Sequence, residues 1–322
     1  MTTAEILAAF PRLRALVVGD ICLDRWCRYD PALADPSRET GIPRIAVTAT
    51  EVTPGGGGTI ANNLAALKTG SVAVLGLAGD DGFGYELEHA LAARGISIDL
   101  LVRAPSVPTF TYTKLINCQT GQEDLPRVDF VNSHPIREEL ERELVDRLES
   151  VAGAYDVILV ADQAETAQGG VVTARMREAL ARIAPTVLVW VDSRMRAELF
   201  RGVVVKPNQQ EAEAASLRAL GRVDYAELRR HMEAPFLIVT RGGEGALVVE
   251  ERGSTPVAAR RVPNPVDICG AGDSFSAGTA LALKVTGDPI AAARFGNLVA
   301  SITIMKKGTG TASPEEVLAA EL

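Results

Sequence analysis

The string CGAGDSFSAG, residues 269–278, sets an aspartate behind a glycine-rich turn and ahead of a run of small residues with helical character. Gly270, Ala271 and Gly272 in front of a helix would aim several backbone N–H groups and the positive end of a helix dipole at one point, which suits an anion. A carboxylate at that point, Asp273, can take the proton of an attacking hydroxyl while the N–H groups offset charge on a transferring phosphoryl group. A lysine in its place could not act as that base at neutral pH unless its pKa were strongly lowered. The Gly-Lys-Ser/Thr string of a Walker loop occurs nowhere in the chain. Two other readings fit the same ten residues. Asp273 or Ser274 could simply cap the helix. Gly270 and Gly272 could begin a dinucleotide fingerprint, although Phe275 stands where its third glycine belongs and little chain remains to build the rest of such a site.

A turn of this kind needs a scaffold, and the apolar runs supply one. ALVVGD (15–20), VAVLGLAGD (72–80), DVILVAD (156–162), TVLVWVD (186–192), GVVVKPN (202–208) and FLIVTRGG (236–243) read as strands buried on both faces. Helical patterns separate or follow them at 59–68, 83–95, 136–153, 172–184 and 225–232, and two alanine-rich helices follow the turn. The alternation predicts an α/β fold with a mostly parallel sheet between helices, and ligands at the carboxyl ends of its strands. Segments 21–54 and 105–131 break the rhythm. In the second, PTFTYTKLIN and LPRVDFV alternate like strands joined by a polar turn, so the two segments are expected to form a small antiparallel β lid on a single domain spanning 1–322.

The chain has 322 residues, 47% hydrophobic and 23% charged, which is ample for a large core and excludes a disordered or fibrous protein. A net charge of -8 repels polyanions, so nucleic acid is not expected as a partner. Four cysteines without CxxC spacing and three histidines argue against a zinc enzyme and for a reducing, cytoplasmic setting. No stretch approaches the roughly 18 apolar residues that span a bilayer, so no membrane partner is expected.

Against this background several strings fall in the order found in the PfkB, or ribokinase-like, carbohydrate kinases. VVGDICLDRW (17–26) resembles that family's opening strand, PGGGGTIANNLAAL (54–67) its glycine segment under the sugar, and GLAGDDGFGYEL (76–87) the unit that follows. KPNQQEA (206–212) resembles its Asn-x-x-Glu motif, VTRGGEGALV (239–248) its nucleotide-side strand and turn, and DICGAGDSFSAG (267–278) its signature at the catalytic base. The resemblance spans nearly the whole chain and implies a ribokinase-like three-layer α/β/α fold with a β lid. It also implies ATP as phosphoryl donor with Mg²⁺, and a monovalent cation such as K⁺. It makes Asp273 the base and Gly270, Ala271 and Gly272 the anion hole. Asp24, Gly55, Gly56, Gly57, Thr59 and Asn63 would hold the acceptor. Asn208 and Glu211 would order Mg²⁺ through water, Asp267 would lie at the monovalent cation, and Thr240, Gly242, Gly243, Gly245, Asn297 and Gly308 would line the nucleotide. A homodimer through the lid is the corresponding expectation for assembly.

Within the family the wording is most similar to the heptose 7-phosphate kinases. The chain departs from them on the acceptor side: Thr59 replaces an asparagine, VADQAETAQGG (160–170) keeps Asp162 but loses a tyrosine and a lysine, and Ile268 and Cys269 replace threonines. A phosphorylated acceptor needs cations, and Lys114, Arg127, Arg194, Arg196 and Lys206 lie nearest these motifs, with Arg194 or Arg196 suited to grip phosphate bidentately. Two alternatives stay open. One is a kinase of another acceptor of the ribose, fructose or nucleoside type; the other is a non-catalytic binder of sugar or nucleotide that keeps the fold.

Overall fold

A computed structural model describes residues 1–166 and 168–321. Along the chain the strands are β1 (Arg14–Gly19), β2 (Ile21–Tyr29), β3 (Val47–Gly56), β4 (Ser71–Gly79), β5 (Ser97–Ala104), β6 (Thr111–Asn117), β7 (Val128–Phe130), β8 (Val157–Asp162), β9 (Leu188–Ser193), β10 (Val204–Val205), β11 (Leu237–Thr240), β12 (Ala246–Glu250) and β13 (Gly253–Val257). The α-helices are α1 (Thr3–Ala9), α2 (Gly57–Ala66), α3 (Gly82–Ala92), α4 (Glu138–Val151), α5 (Ala174–Ile183), α6 (Gln209–Leu220), α7 (Tyr225–His231), α8 (Ala271–Thr286), α9 (Pro289–Thr303) and α10 (Pro314–Glu321).

Among the described residues the strands form two sheets. One is nine-stranded in the order β13-β12-β11-β10-β9-β8-β1-β4-β5, and the other is four-stranded in the order β3-β2-β6-β7. From β5 to β11 the neighbours in the large sheet run parallel, and β12 and β13 add an antiparallel edge. Strand residues alternate between two cores: Ala15 and Val17 of β1 pack among residues of α1, α2, α3, α8 and α9, while Leu16 and Val18 pack among residues of α4, α5, α6 and α7. A sheet covered on both faces must read as continuous apolar runs, and it does. This is the α/β architecture expected from the sequence, a mostly parallel sheet between two layers of helices.

Segments 21–54 and 105–131 supply the small sheet, though one of its pairings is parallel: β2 lies against β3 antiparallel and against β6 parallel. Residues Cys22, Asp24, Trp26 and Arg28 share one face of β2, and their lateral partners on β6 include Tyr112 and Lys114. The opposite face packs on α3, where Arg25 donates to Glu86 at 3.1 Å and its guanidinium covers Phe83 at 4.5 Å. Only Asp20 separates β1 of the large sheet from β2 of the small one, and Gly57 N–H, where the chain returns from β3 into α2, donates to Asp20 O at 2.9 Å.

The run 202–208 is shorter as a strand than its apolar character suggests. Only Val204 and Val205 pair, because Gly202 sits at φ 68° and Pro207 has no N–H to donate.

Candidate active site

Gly270 adopts φ 76°, a left-handed conformation that admits glycine at little cost, and it turns the chain directly into α8. A Cβ there would stand 3.3 Å from side-chain carbons of Thr309 and Thr59, so the turn is also closely packed. Ala271 N–H is consumed, donating to Ile268 O at 3.2 Å, and Ser274 N–H closes the first turn on Gly270 O at 2.9 Å. Among the described residues the N–H groups of Gly270, Gly272 and Asp273 find no acceptor within the chain. The donors open to an anion are therefore these three: of the Gly270–Gly272 set expected from the sequence Ala271 is occupied, and Asp273 adds one N–H beyond it. Ser274 Oγ meets Thr303 Oγ1 at 2.8 Å, which fixes the first turn of α8 against α9.

Burial pushes the Asp273 carboxyl up to about 7, with Asp192 and Asp24 adding to the rise and Lys206 and Arg194 opposing it. A carboxylate of that strength is well matched to accepting a proton near neutral pH. Beneath it, Lys206 Nζ pairs with Asp192 Oδ2 at 2.6 Å, both side chains being almost fully buried, and Ser276 Oγ of α8 donates to the same oxygen at 3.1 Å. Burial alone would lower the Lys206 ammonium, but Asp192, Glu211 and Asp273 outweigh it and hold its pKa above the ordinary value.

Asp24 faces this region from the middle of β2. Burial raises it to about 6, against the pull of Lys114, Arg127 and Arg194. Gly55 lies opposite Cys22 on β3, and a Cβ there would come within 2.3 Å of Asp24 Oδ1, so the carboxylate lies directly against the glycine segment. Arg127 stacks over Tyr112 at 4.6 Å and donates to Asp129 at 2.7 Å, while Lys114 Nζ stands 3.7 Å from Glu123. Gly56 and Gly57 make the turn from β3 into α2. Thr59 Oγ1 donates back to Pro54 O at 3.2 Å, and Asn63 Nδ2 donates to Thr59 O at 2.9 Å. Both side chains are buried, Thr59 Cγ2 standing against the Gly270 turn and Asn63 Oδ1 having no hydrogen-bond partner among the described residues.

The two arginines considered for phosphate part company. Arg196 is committed to a buried pair with Asp162, which also accepts from Ser193 Oγ at 2.6 Å, and Arg196 Nη1 donates to Gly169 O at 3.2 Å. Asp162 is completely buried, so it organises the 163–171 loop instead of meeting the acceptor expected for it. Arg194 lies close enough to Asp273 to be felt by it, and its guanidinium is held by Glu165 of the same loop. Sequence reasoning missed the residue that pins this loop: Asp20 accepts the N–H groups of Gln163, Ala164 and Val171 at 2.8, 3.0 and 2.8 Å. Its burial, with Asp162 nearby, raises it to about 6. Only its place ahead of Asp24 in GDICLD hinted at a role.

Asn208 and Glu211 form a reciprocal capping box on α6: Asn208 Oδ1 accepts Glu211 N–H at 2.9 Å and Glu211 Oε2 accepts Asn208 N–H at 2.7 Å. Glu211 Oε1 has no protein donor among the described residues, and hard oxygen donors at an exposed helix start fit a partly hydrated Mg²⁺. No cluster of three acidic, histidine or cysteine residues that could hold a metal occurs among the described residues, so such an ion would draw most of its ligands from phosphate and water. Thr240 bridges to Asn208 at the end of β11, and Gly242, Gly243 and Gly245 follow in the turn before β12. Asn297 is turned inward, its Nδ2 donating to Val257 O at 3.2 Å and Ala258 O at 3.3 Å, which ties α9 to β13.

Both carboxylate oxygens of Asp267 already accept backbone N–H groups, from Cys269 at 2.9 Å and Gly308 at 3.0 Å. Asp267 thus ties the turn to the 306–311 loop. Gly308 follows Lys307 in the 306–311 loop. It lines a cleft of about 330 Å³ with Trp26, Arg28 and Glu51 of the small sheet.

Residues 14–316 match the pfkB family carbohydrate kinases. The chain is 31% identical over 334 residues to the bifunctional protein HldE of Geotalea uraniireducens (strain Rf4), covering 99% of the chain and 66% of that protein. It is 33% identical over 331 residues to the protein of the same name from Geobacter metallireducens (strain ATCC 53774 / DSM 7210 / GS-15), covering 98% of the chain and 64% of that protein. The chain thus spans just under two thirds of the length of these relatives. Among solved structures it is similar to the ribokinase of Thermotoga maritima, with TM-score 0.72, 22% identity and coverage of 96% of this chain and 99% of that one. It is equally similar to the phosphofructokinase-2 of Escherichia coli in complex with potassium, with TM-score 0.72, 21% identity and coverage of 96% and 98%. A match of this extent leaves no other assignment for the scaffold and its glycine-rich turn: the chain belongs to the pfkB family of carbohydrate kinases.

Proposed function

We propose that this carbohydrate kinase transfers the γ-phosphoryl group of ATP to a hydroxyl of a sugar phosphate of the heptose 7-phosphate type. The observation that carries the reading is the convergence, around one cleft, of a proton-accepting Asp273 at a helix N-terminus and a hydroxyl-binding Asp24 ringed by Lys114, Arg127 and Arg194. Asp24 and the backbone at Gly55 orient the acceptor. Asp273 takes the proton of its attacking hydroxyl, and the free N–H groups of Gly270, Gly272 and Asp273 meet the charge that builds on the transferring group. Mg²⁺ bound with ATP supplies further charge neutralisation, and Asn208 and Glu211 are the residues that would order its water shell. The small sheet acts as the lid, closing over the acceptor and excluding the water that would otherwise take the phosphoryl group. Arg194, released from Glu165, is the cation best placed for an anionic group on the acceptor.

The resemblance to heptose 7-phosphate kinases supports this acceptor class, and the three cations around Asp24 favour a phosphorylated sugar over a neutral one. The test is ADP release with ATP and Mg²⁺ over a panel holding heptose 7-phosphates, fructose 6-phosphate, ribose and nucleosides. The highest kcat/KM is expected with a heptose 7-phosphate. Best turnover of ribose or a nucleoside would overturn the acceptor assignment, and ligand binding without ADP from any member would overturn the kinase reading.

A further inference from the structure

Asp192 ends β9 with its carboxylate buried beneath the first turn of α8. Two contacts fix it there: Lys206 Nζ at 2.6 Å and Ser276 Oγ at 3.1 Å. Ser276 lies one turn beyond Asp273 on the same helix, and Lys206 Nζ stands 3.4 Å from where a Cβ of Gly272 would be. The pair is therefore tucked directly under Gly272 and Asp273, two of the residues whose N–H groups face the proposed anion site. Folding gains little from such a pair, since a buried ion pair is commonly replaceable by apolar side chains at no loss of stability.

Resting on the reading of Asp273 as base, we propose that Asp192 is a positioning residue for it: a fixed negative charge, clamped by Lys206 and Ser276 under the α8 turn, keeps Asp273 eager for a proton, and Lys206 limits the effect. Asp192 never touches the acceptor. Its charge acts on Asp273 through a water-poor region, where a like charge makes ionisation harder. The groups that face Asp273 are Asp192 at the end of β9, Arg194 just after it, Lys206 after β10, Asp24 and Cys22 on β2, and Cys269 in the preceding turn. Arg194 and Lys206 favour the ionised base, and Asp24 opposes it with Asp192. Of the charged neighbours Asp192 weighs most, so its removal should dominate.

The test is a ¹³C NMR titration of the full chain labelled at aspartate carboxyls, with the Asp273 resonance assigned by its loss in Asp273→Asn. In Asp192→Asn the Asp273 midpoint should fall by about one pH unit. In the double variant Asp192→Asn/Lys206→Met, which leaves no unpaired buried charge and so carries the test should the single variant not fold, the midpoint should fall by less. Ser276→Ala, which keeps the charge and removes one hydrogen bond, should leave the midpoint in place. An unmoved midpoint in both Asp192 variants, or an equal fall in Ser276→Ala, would overturn the inference. Its failure is separable from failure of the underlying reading. Wild-type turnover in Asp273→Asn removes the base itself, whereas lost turnover there with an unmoved titration in the Asp192 variants removes only the role of Asp192.

Discussion

Asp273 binds a proton far more tightly in the folded chain than in the unfolded one, rising from the ordinary 3.8 to about 7, and Asp20 and Asp24 rise to about 6. For raised carboxyls the contribution to stability is full below the unfolded pKa and is lost as pH climbs through the folded one. These residues therefore favour the fold below about pH 4 and oppose it above about pH 7. Asp273→Asn should raise Tm at pH 8 and leave it nearly unchanged at pH 4, while kcat falls by roughly 10²–10⁴-fold. In the wild type, kcat/KM should drop as pH falls below about 7, where Asp273 is protonated. Thermal melts at the two pH values and a pH–rate profile check all three. Gly55→Ala tests Asp24 from the other side. Its Cβ would demand the space of Asp24 Oδ1, only 2.3 Å away, so the acceptor KM should rise at least tenfold while the KM for ATP changes little. Asp273 could be named as a candidate base from its place behind a glycine-rich turn, and Asp24 as a candidate acceptor ligand only through the family resemblance of VVGDICLDRW. The tasks of Asp20, Asp162 and Glu165 were not legible, because each depends on a partner brought near only by the fold, as Asp162 meets Arg196 from the next strand's end.

The 163–171 loop shows how elements share the work of positioning. Asp20 holds its backbone at both ends, and the Asp162–Arg196 pair braces it through Gly169 O. Arg196→Met should cost about 3–5 kcal/mol in urea unfolding, because it strands a buried carboxylate, and adding Asp162→Asn should recover much of that loss. The strands of the large sheet were readable as apolar runs because burial on both faces leaves little polar alternation. Edge strand β5 escaped notice because it is only partly buried, with Asp99 and Arg103 interrupting its apolar residues. The β12–β13 hairpin departed from the strand-helix rhythm, and α1 and α10 are too short to display much periodicity. Asn208 and Glu211 illustrate a subtler limit. Their spacing reads as a capping box, the family resemblance implies a metal-ordering pair, and the unused Glu211 Oε1 leaves room for both.

At the scale of the whole molecule, the proposed site draws on both ends of the chain, with Asp24 near the start and Asp273 near the finish, so we propose that residues 1–322 act as one kinase unit. The outer strand β3 leaves one edge of the small sheet open, and beside it Leu33, Ile42, Ile45 and Val47 expose apolar surface, Ile42 being 66% accessible. We propose that a second copy covers this edge. Ile42→Lys/Ile45→Lys should convert a dimer into a monomer in light scattering, with the acceptor KM rising as the lid loses its support. A chain that is monomeric before substitution would refute this.

The crossing at Asp20, where β1 passes into β2 with no intervening loop, also bears on how the molecule assembles. The small sheet gathers β2 and β3 from one part of the chain and β6 and β7 from another, with β4, α3 and β5 of the large sheet lying between them in sequence. Its central β2–β6 pairing closes only after those intervening elements have docked, since loop closure must be met before distant contacts can reward it. Small-sheet substitutions such as Tyr112→Phe or Leu115→Ala should then have φ-values near zero, speeding unfolding and sparing the folding rate, whereas Val74→Ala in β4 should slow folding. A lid that forms last is also the part that opens first, so in this kinase the order of folding and the order of the catalytic cycle would follow the same seam.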